Sequence, residues 1–170
     1  MTTIGDPMSE TPAAVPASSE PPDFHEFYAS AWPAAVRLAA LLTQQTEPAE
    51  DLAQEAMVRV YGHWPQVRVG VPGAYLRTTV VNVCNNWHRS RRTQQAKLPL
   101  LISERLDTST SDHLADALAA LPFRQLTVLV LRFYEGCSER EIAEHLGCRP
   151  GTVKSLTSRA LAQLQKVIER

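Results

Sequence analysis

A tight turn between two amphipathic helices is the feature that most constrains what this chain can fold into. It lies in the segment Ser138–Arg159, SEREIAEHLGCRPGTVKSLTSR. Ser138 followed three residues later by Glu141 predicts a capping box at the start of the first helix. Gly147 suits the turn because glycine readily adopts positive φ, and Pro150 suits the first position of the next helix, where no N–H is needed. The spacing predicts a helix-turn-helix.

The second helix of this motif carries a stripe of apolar residues at helical spacing, which predicts a buried face. An ordinary helical hairpin inside a core would show a similar stripe. The turn glycine and the apolar positions nevertheless fall together at the spacing of the motif, which favours the helix-turn-helix. The predicted buried residues are Val153, Leu156, Ala160, Leu161 and Leu164.

The opposite face of the same helix carries short hydroxyl and basic side chains. Such side chains suit phosphates and base edges in a DNA major groove. The sequence therefore predicts that this helix reads duplex DNA. The residues of this face are Thr152, Lys154, Ser155, Ser158 and Arg159.

The net charge of −1 over 170 residues conceals a strong asymmetry. Residues 1–58 carry nine acidic side chains and one basic, whereas residues 59–103 carry seven basic and no acidic side chain. Residues 104–170 carry nine of each. A basic coat over the whole protein is thereby excluded, and the central segment is predicted to form a local nucleic-acid surface.

Cysteine usage and hydropathy point to a cytoplasmic protein. The chain has three cysteines, Cys84, Cys137 and Cys148, without a C-x-x-C pair or histidines at zinc spacing. We expect free thiols, no metal and no cofactor. No apolar run is long enough to span a bilayer, and the amino terminus does not resemble a secretory signal. No glycine-rich phosphate loop or nucleophile motif is present, so no enzymatic site is predicted.

Helical periodicity extends over most of the remaining chain and predicts an all-α fold of two small helical domains joined by a flexible linker. Pro33 is expected to kink or break the first long helix, which begins at Phe24. Further helices are predicted from Thr46–Glu50 to Gly62 and from Ala74 to about Arg91. The predicted organisation is a disordered tail over 1–22, a first domain over 23–92, a linker over 93–111 and a second domain over 112–170.

Two helices of the first domain carry further signals. The segment AEDLAQEAMVRVYGHW, Ala49–Trp64, combines an inward face with acidic and apolar residues on its outer surface, which suits either protein docking or a solvated face. Its predicted inward residues include Leu52 and Tyr61.

The segment AYLRTTVVNVCNNWHRSRR, Ala74–Arg92, combines arginines, asparagines and aromatic rings. Arginines hold phosphates, amides bond unpaired base edges and rings stack on bases, so this helix suits opened DNA as well as a plain basic surface.

Taken in this order, the three segments resemble the sigma-70 family, and within it the short extracytoplasmic-function (ECF) sigma factors of bacterial RNA polymerase. AEDLAQEAMVRVY is similar to region 2.2 of that family, and YLRTTVVNVCNNWHRSRR is similar to regions 2.3 and 2.4. The segment from LPFRQL to ALAQL is similar to region 4. The resemblance implies a region 2 domain over 23–92 and a region 4 domain over 112–170.

The resemblance also implies roles for individual residues. The family's region 2.2 docks on the β′ clamp helices of core polymerase, its regions 2.3 and 2.4 melt and read the −10 element, and its region 4 reads the −35 element. The implied polymerase-binding residues are Asp51, Leu52, Gln54, Glu55 and Val58; the implied −10 residues are Arg77, Asn82, Trp87, Arg89, Arg91 and Arg92; the implied −35 residues are Arg149, Thr152, Lys154, Ser155, Ser158 and Arg159.

The expected function is promoter-specific initiation of transcription, with core RNA polymerase supplying the chemistry. The implied partners are core polymerase through its β′ clamp helices and β flap, promoter DNA, and an anti-sigma factor, with no membrane insertion. A conventional helix-turn-helix regulator with an amino-terminal effector or dimerisation domain is the alternative. The basic helix that carries Asn82 and Trp87 argues against that alternative.

Overall fold

A computed structural model describes residues 23–97 and 113–168 of the chain. The described residues form helices and contain no strand, so the all-α prediction is confirmed. The predicted tail over 1–22 and most of the predicted linker lie outside the described residues. The helices are α1 Phe24–Thr43, α2 Ala49–Gly62, α3 Trp64–Val67, α4 Pro72–Lys97, α5 His113–Ala119, α6 Phe123–Leu129, α7 Glu139–Leu146 and α8 Pro150–Ile168, with a π-helical turn Val130–Tyr134 following α6.

The helices α1, α2 and α4 pack against one another and form, with α3, what we call the N-terminal unit. Asp23 caps α1 by accepting a hydrogen bond from the Phe24 backbone N–H at 2.8 Å. Large apolar side chains from all three long helices are fully buried between them, which gives each helix one face in the core. These core residues include Leu42, Met57, Val60, Val80 and Val83.

The expected break at Pro33 is not observed, because α1 runs through it without interruption from Phe24 to Thr43. Proline removes one backbone hydrogen bond from a helix interior. Pro33 is exposed, while the next turns bury Leu38 and Leu42 in the core. Before the proline, Phe27 and Trp32 are partly buried against the same core. Packing on both sides of Pro33 therefore holds the two halves of α1 together.

The ends of the next helices differ from those predicted. The helix α2 begins at Ala49 without a side-chain cap, inside the predicted starting range Thr46–Glu50, and ends at Gly62 as predicted. The short helix α3 was missed; it buries Trp64, whose ring centroid lies 5.0 Å from that of Phe27. The helix α4 extends to Lys97, beyond the predicted end near Arg91.

The helices α5 to α8 form the C-terminal unit, in which α5, α6 and α7 all pack on α8. Its core includes Leu131, Ile142 and Val153, each fully buried. The π-helical turn is closed by a bond from the Glu135 N–H to the Val130 carbonyl oxygen, 3.1 Å long and five residues apart. A π-turn inserts one residue into a helix and rotates the residues that follow.

The two units pack against each other, and their buried apolar residues form one continuous core. The helix α4 contacts α7, and α1 contacts α6 and the π-helical turn. Across this boundary the ring centroids of His88 and Phe123 lie 4.8 Å apart. The C-terminal unit is therefore seated directly on the helix predicted to meet the −10 element.

Candidate nucleic-acid interface

The turn between α7 and α8 has the geometry that the sequence predicts. The Ser138 backbone N–H donates to the Glu141 carboxylate at 2.7 Å, and the Glu141 N–H donates to Ser138 Oγ at 3.3 Å. These bonds complete the capping box. The Ser138 hydroxyl also donates to the Glu141 carboxylate at 2.7 Å, and this bond, together with that from the Ser138 N–H, lowers the pKa of the Glu141 carboxyl because both favour its charged form. Gly147 takes a φ of +57°, the left-handed conformation that glycine adopts most easily, and α8 begins at Pro150.

The outer face of α8 is open to solvent. Val153 and Ala160 are fully buried beneath it and Leu156 is 9% exposed, which holds the helix against α7 and α6. Leu161 is 42% exposed, so the prediction that it is buried was wrong; it follows Ala160 on the helix and lies past the edge of the stripe. The exposed residues of this face include all six predicted for the −35 element: Arg149, Thr152, Lys154, Ser155, Ser158 and Arg159.

Contacts of this face are made within α8 itself. Arg159 Nε donates to the Ser155 carbonyl oxygen at 3.1 Å, and its terminal nitrogen contacts Ser155 Oγ at 3.2 Å. Ser155 Oγ donates in turn to the Thr152 carbonyl oxygen at 2.9 Å. These exposed bonds are weak in water, so the hydroxyl and guanidinium groups can exchange them for phosphate or base contacts.

The six residues predicted for the −10 element do not share one environment on α4. Asn82, Arg89 and Arg92 are exposed. Trp87 and Arg91 are half-buried and packed together, with the Arg91 guanidinium carbon 4.9 Å from the Trp87 ring centroid. Asn82, Arg89 and Arg92 are therefore free to contact a ligand, whereas Trp87 and Arg91 form a packed cation–π pair.

Neighbouring α1 holds this packed pair in place. Arg91 donates to the Gln45 side-chain oxygen at 2.8 Å, just beyond the end of α1. His88 Nε2 lies 2.9 Å from the Leu42 carbonyl oxygen, a distance at which it donates a hydrogen bond. Trp87 meets the His88 ring edge-on, with centroids 4.9 Å apart. These contacts fix the middle of α4 on α1 and give Trp87 a structural role.

Arg77 is engaged by the C-terminal unit. Its Nε donates to a Glu135 carboxylate oxygen at 2.8 Å, and the two side chains are only 26% and 15% exposed. Five residues further along the same helix, Asn82 remains exposed. The predicted −10 residues are therefore split between an open surface and a contact inside the protein.

An open groove of about 480 Å³ lies beside the exposed part of α4. Its lining residues recur at helical spacing from Asn86, so they form one polar face of the helix. Only Arg89 among them belongs to the predicted −10 set. Asn86 and Thr93 lie three residues before and four residues after Arg89. This helical spacing could have predicted from the sequence that they share a face with Arg89. The lining residues are Asn86, Arg89, Ser90, Thr93 and Gln94.

The outer face of α2 differs from the predicted polymerase-binding set at one position. Asp51, Gln54 and Glu55 are exposed, and Val58 is 65% exposed. Leu52 is 7% exposed and packs in the core, so it does not belong to this face; the turn that places Asp51 outward directs Leu52 inward. Tyr61 was expected to be buried but is 63% exposed, with its ring 4.8 Å from that of Phe24.

The described residues offer no grouping of three histidine, cysteine or acidic side chains that could hold a metal ion. Within residues 23–97 and 113–168, no helix is both long and apolar enough to cross a membrane. Cys84, on α4, is buried in the core, and burial, assisted by the Glu55 carboxylate, raises the pKa of its thiol to about 12. The thiol therefore stays protonated inside the N-terminal unit.

Comparison with known protein families matches both halves of the chain. Residues 27–94 match the family model for Sigma-70 region 2, and residues 111–164 match that for Sigma-70, region 4. These ranges lie close to the predicted first and second domains.

Individual relatives agree with the family match. The RNA polymerase sigma-E factor of Streptomyces avermitilis is 36% identical over 86% of this chain and 86% of its own length. The ECF RNA polymerase sigma factor SigL of Mycobacterium tuberculosis is 32% identical over 78% of this chain and 81% of its own length. Among solved structures, the sigma factor RpoE of Bartonella quintana, crystallised with the anti-sigma factor NepR, is 26% identical with a TM-score of 0.69, covering 86% of this chain and 97% of that chain.

These relatives share both halves of the chain, and each is matched over most of its own length. The order of the α2 face, the α4 surface and the α7–α8 motif along the chain is the order of regions 2 and 4 in the matching family models. The chain therefore belongs to the sigma-70 family of RNA polymerase sigma factors, within its extracytoplasmic-function group.

Proposed function

We propose that this protein binds core RNA polymerase and directs it to promoters that carry a −35 and a −10 element. The observation that supports this function best is the presence of three separate exposed surfaces on one chain. They are an acidic and apolar face on α2, a polar and basic face on α4, and a hydroxyl-rich basic face on α8. In this proposal the polymerase supplies all the chemistry, and the protein acts in the cytoplasm, where polymerase and DNA meet.

The outer face of α8 reads the −35 duplex. Its N-terminal half projects Thr152, Lys154 and Ser155 from a helix that is anchored by Val153 below. Helix-turn-helix proteins place the N-terminal residues of the second helix against base edges in the major groove. Arg149 and Arg159 flank this set and are suited to the phosphates on either side.

The exposed surface of α4 captures the −10 strand once the duplex opens. Asn82 and Asn86 present amides one turn apart, and Arg89 follows beside the groove. Amides can bond the exposed edges of unpaired bases, while the arginine holds the strand by its phosphate. The absence of acidic residues over 59–103 removes charge repulsion from this path.

The outer face of α2 docks on the polymerase, with Asp51, Gln54, Glu55 and Val58 as contact residues and Leu52 supporting them from the core. Tyr61 extends this face by one turn. A patch that joins exposed apolar side chains to charged neighbours is typical of a protein interface. We further propose an anti-sigma partner, as in the solved relative at 26% identity, and contact of the C-terminal unit with the β flap.

Transcription in vitro tests this function directly. The purified protein is added to core polymerase that lacks any sigma factor, with a fragmented genomic library as template, and transcript starts are mapped. New starts that share two spaced upstream elements are the expected result. Duplex binding by the protein alone, without new starts, would instead favour a conventional helix-turn-helix regulator.

A further inference from the structure

A group of aromatic rings lies where the N-terminal half of α1 meets α2 and α3. The ring centroid of Phe24 lies 4.8 Å from that of Tyr61 and 5.2 Å from that of Trp64. Tyr28 and Trp32 continue the group along α1, with their rings stacked at a centroid distance of 5.4 Å and an interplanar angle of 16°. We define the aromatic platform as the rings of Phe24, Phe27, Tyr28, Trp32, Tyr61 and Trp64.

The aromatic platform is buried on one side and open to solvent on the other. Trp64 is 7% exposed and joins the platform to the core, whereas Tyr61 is 63% exposed. Phe24, Tyr28 and Trp32 are partly exposed. Neighbouring exposed rings, unlike single apolar residues on a surface, are typical of an interaction site. Tyrosine and tryptophan are moreover enriched at such sites, because each joins an apolar ring to a polar tip.

The polar tips of the open rings make no hydrogen bond to the part of the protein that the structure describes. This holds for the hydroxyls of Tyr28 and Tyr61 and for the indole Nε1–H of Trp32, whereas the Tyr134 hydroxyl accepts a bond from Arg37 at 3.1 Å. The platform therefore offers three donors beside apolar ring faces. A ligand that fits it needs apolar groups to stack on the rings and free carbonyl oxygens to accept these bonds.

A proline-rich segment of polypeptide has this chemistry. In the polyproline II conformation the backbone makes no internal hydrogen bonds, so its carbonyl oxygens stay free, and aromatic-lined grooves bind such segments. The chain carries a proline-rich segment directly before the platform. Residues 1–22, the tail that lies outside the described residues, contain five prolines, three acidic side chains and no basic one. The tail ends at Pro22, two residues before Phe24.

The tail is long enough to turn back over the platform. Trp32 follows Phe24 by eight residues, which correspond to about 12 Å along the axis of α1. Twenty-two extended residues can span about 70 Å, so residues 12–16 can reach Tyr28 and Trp32. Attachment to α1 also gives the tail an effective concentration of about a millimolar, at which weak contacts are populated.

We propose that the tail docks on the aromatic platform of its own chain in an extended conformation, with Pro12 and Pro16 stacked on Tyr28 and Trp32. Tyr61 belongs both to the platform and to the α2 face that is proposed to bind polymerase. The docked tail therefore covers one edge of that face, and polymerase displaces it from Tyr61. The docking is independent of the proposed function, and only the competition with polymerase rests on it.

The indole N–H signals in a heteronuclear NMR spectrum of the full chain test the docking. The three tryptophans report on three places: Trp32 on the open side of the platform, Trp64 beneath it and Trp87 on α4. Pro12→Ser combined with Pro16→Ser is expected to move the Trp32 signal and to leave the Trp87 signal unchanged. An unmoved Trp32 signal would overturn the proposal.

A matched variant and a change of concentration identify what covers the platform. Ser18→Ala with Ser19→Ala changes the same tail without removing a proline and is expected to leave the Trp32 signal in place; an equal shift would contradict stacking by the prolines. Dilution of the natural chain by about tenfold is also expected to leave the signal in place, because the contact is within one chain. A signal that moves on dilution would show that a second copy covers the platform instead.

Affinity for core polymerase tests the competition. The double proline variant is expected to bind about threefold more tightly than the natural chain, because a larger fraction of chains has an uncovered α2 face. Equal affinities would overturn the competition. Trp32→Ala is expected to bind as tightly as the proline variant, and weaker binding would show that polymerase itself occupies the platform. Failure of the natural chain to bind polymerase would contradict the proposed function and leave the NMR result unaffected.

Discussion

The faces of α4 and α8 that are proposed to meet DNA are built in different ways. The α8 face rests on its own unit: the hydrogen bonds of Ser155 and Arg159 stay within the helix, and α8 begins at Pro150 directly after the capped helix α7. The α4 face depends on the rest of the molecule, because Arg77 is held by Glu135 and Arg91 by Gln45. The duplex-reading surface is thus preformed by one helix and its unit, whereas part of the strand-capturing surface is engaged in contacts with the rest of the protein.

The largest expected effect tests the preformed α8 face. Lys154→Ala combined with Arg159→Ala removes two cations and is expected to weaken binding of a −35 duplex about a hundredfold. The slope of log affinity against log salt should fall in magnitude by about 2. Fluorescence anisotropy at several salt concentrations measures both quantities.

A control with the same charge change sharpens this prediction. Arg140 lies on α7 and pairs with Glu144 at 3.4 Å, and Lys166 lies in the last turn of α8. Arg140→Ala with Lys166→Ala is expected to change duplex affinity much less. Equal losses in the two double variants would show that overall charge, rather than the α8 face, binds the DNA.

The next effect concerns the exposed part of α4. Asn82→Ala removes an amide that no other part of the described protein engages, and it is expected to reduce open-complex formation about tenfold. Binding to core polymerase should be unchanged, since Asn82 lies away from the α2 face. Permanganate footprinting and a polymerase pull-down measure the two properties separately.

The amide on α3 provides the comparison for Asn82. Gln66 is exposed and carries the same functional group outside the α4 surface. Gln66→Ala is expected to form open complexes at the natural rate. Loss of polymerase binding in Asn82→Ala would contradict the assignment of this residue to the −10 strand.

A smaller effect tests how locally the α7–α8 motif is determined. Ser138→Ala removes the side-chain acceptor of the capping box and is expected to lower the free energy of unfolding by about 1 kcal/mol. Chemical denaturation followed by circular dichroism measures this change. Stability equal to that of the natural chain would show that the cap contributes nothing beyond the packing of Ile142.

The smallest expected effect is a pH dependence of stability, through the contact between His145 and Thr78 that joins the two units. Burial, with the nearby Arg77 charge, lowers the pKa of His145, while the carboxylates of Glu141, Glu144 and Glu135 oppose that shift. The folded protein therefore favours neutral His145. Its contribution is complete above the ordinary histidine pKa of about 6.5 and is lost as pH falls through the lowered value.

Chemical denaturation between pH 8 and pH 5.5 measures this dependence. The natural chain is expected to lose stability at the acidic end, and His145→Gln, which keeps a hydrogen-bond donor for Thr78, is expected to flatten the curve. The same loss in both proteins would assign the pH dependence to a different group.

Local signals predicted the α7–α8 motif because each of them acts within a few residues. The capping box at Ser138, the left-handed Gly147 and the start of α8 at Pro150 all follow from side-chain chemistry over one turn. The features that were predicted wrongly or missed depend instead on packing between residues far apart in the chain. Pro33 is carried inside α1 by core packing, and the π-helical turn before Glu135 has no local signature in the sequence.

The candidate surfaces show the same difference between what local patterns predict and what packing decides. Alternation of apolar and polar residues placed Lys154, Arg159 and Asn82 on exposed faces, and the structure agrees. It also predicted that Leu52 faces inward, but it wrongly placed Tyr61 on the same inward face, because the helix period alone leaves the edges of a face undefined by one position.

The sequence by itself determined that the chain is helical, that it carries a helix-turn-helix, and which family it resembles. Those conclusions rest on spacing and capping, which are local. Only the tertiary structure decided that Arg77 is bound by Glu135 and that Thr78 meets His145, across 58 and 67 residues of chain. Contacts of that range depend on how two helical units pack, and no periodicity along the chain encodes that packing.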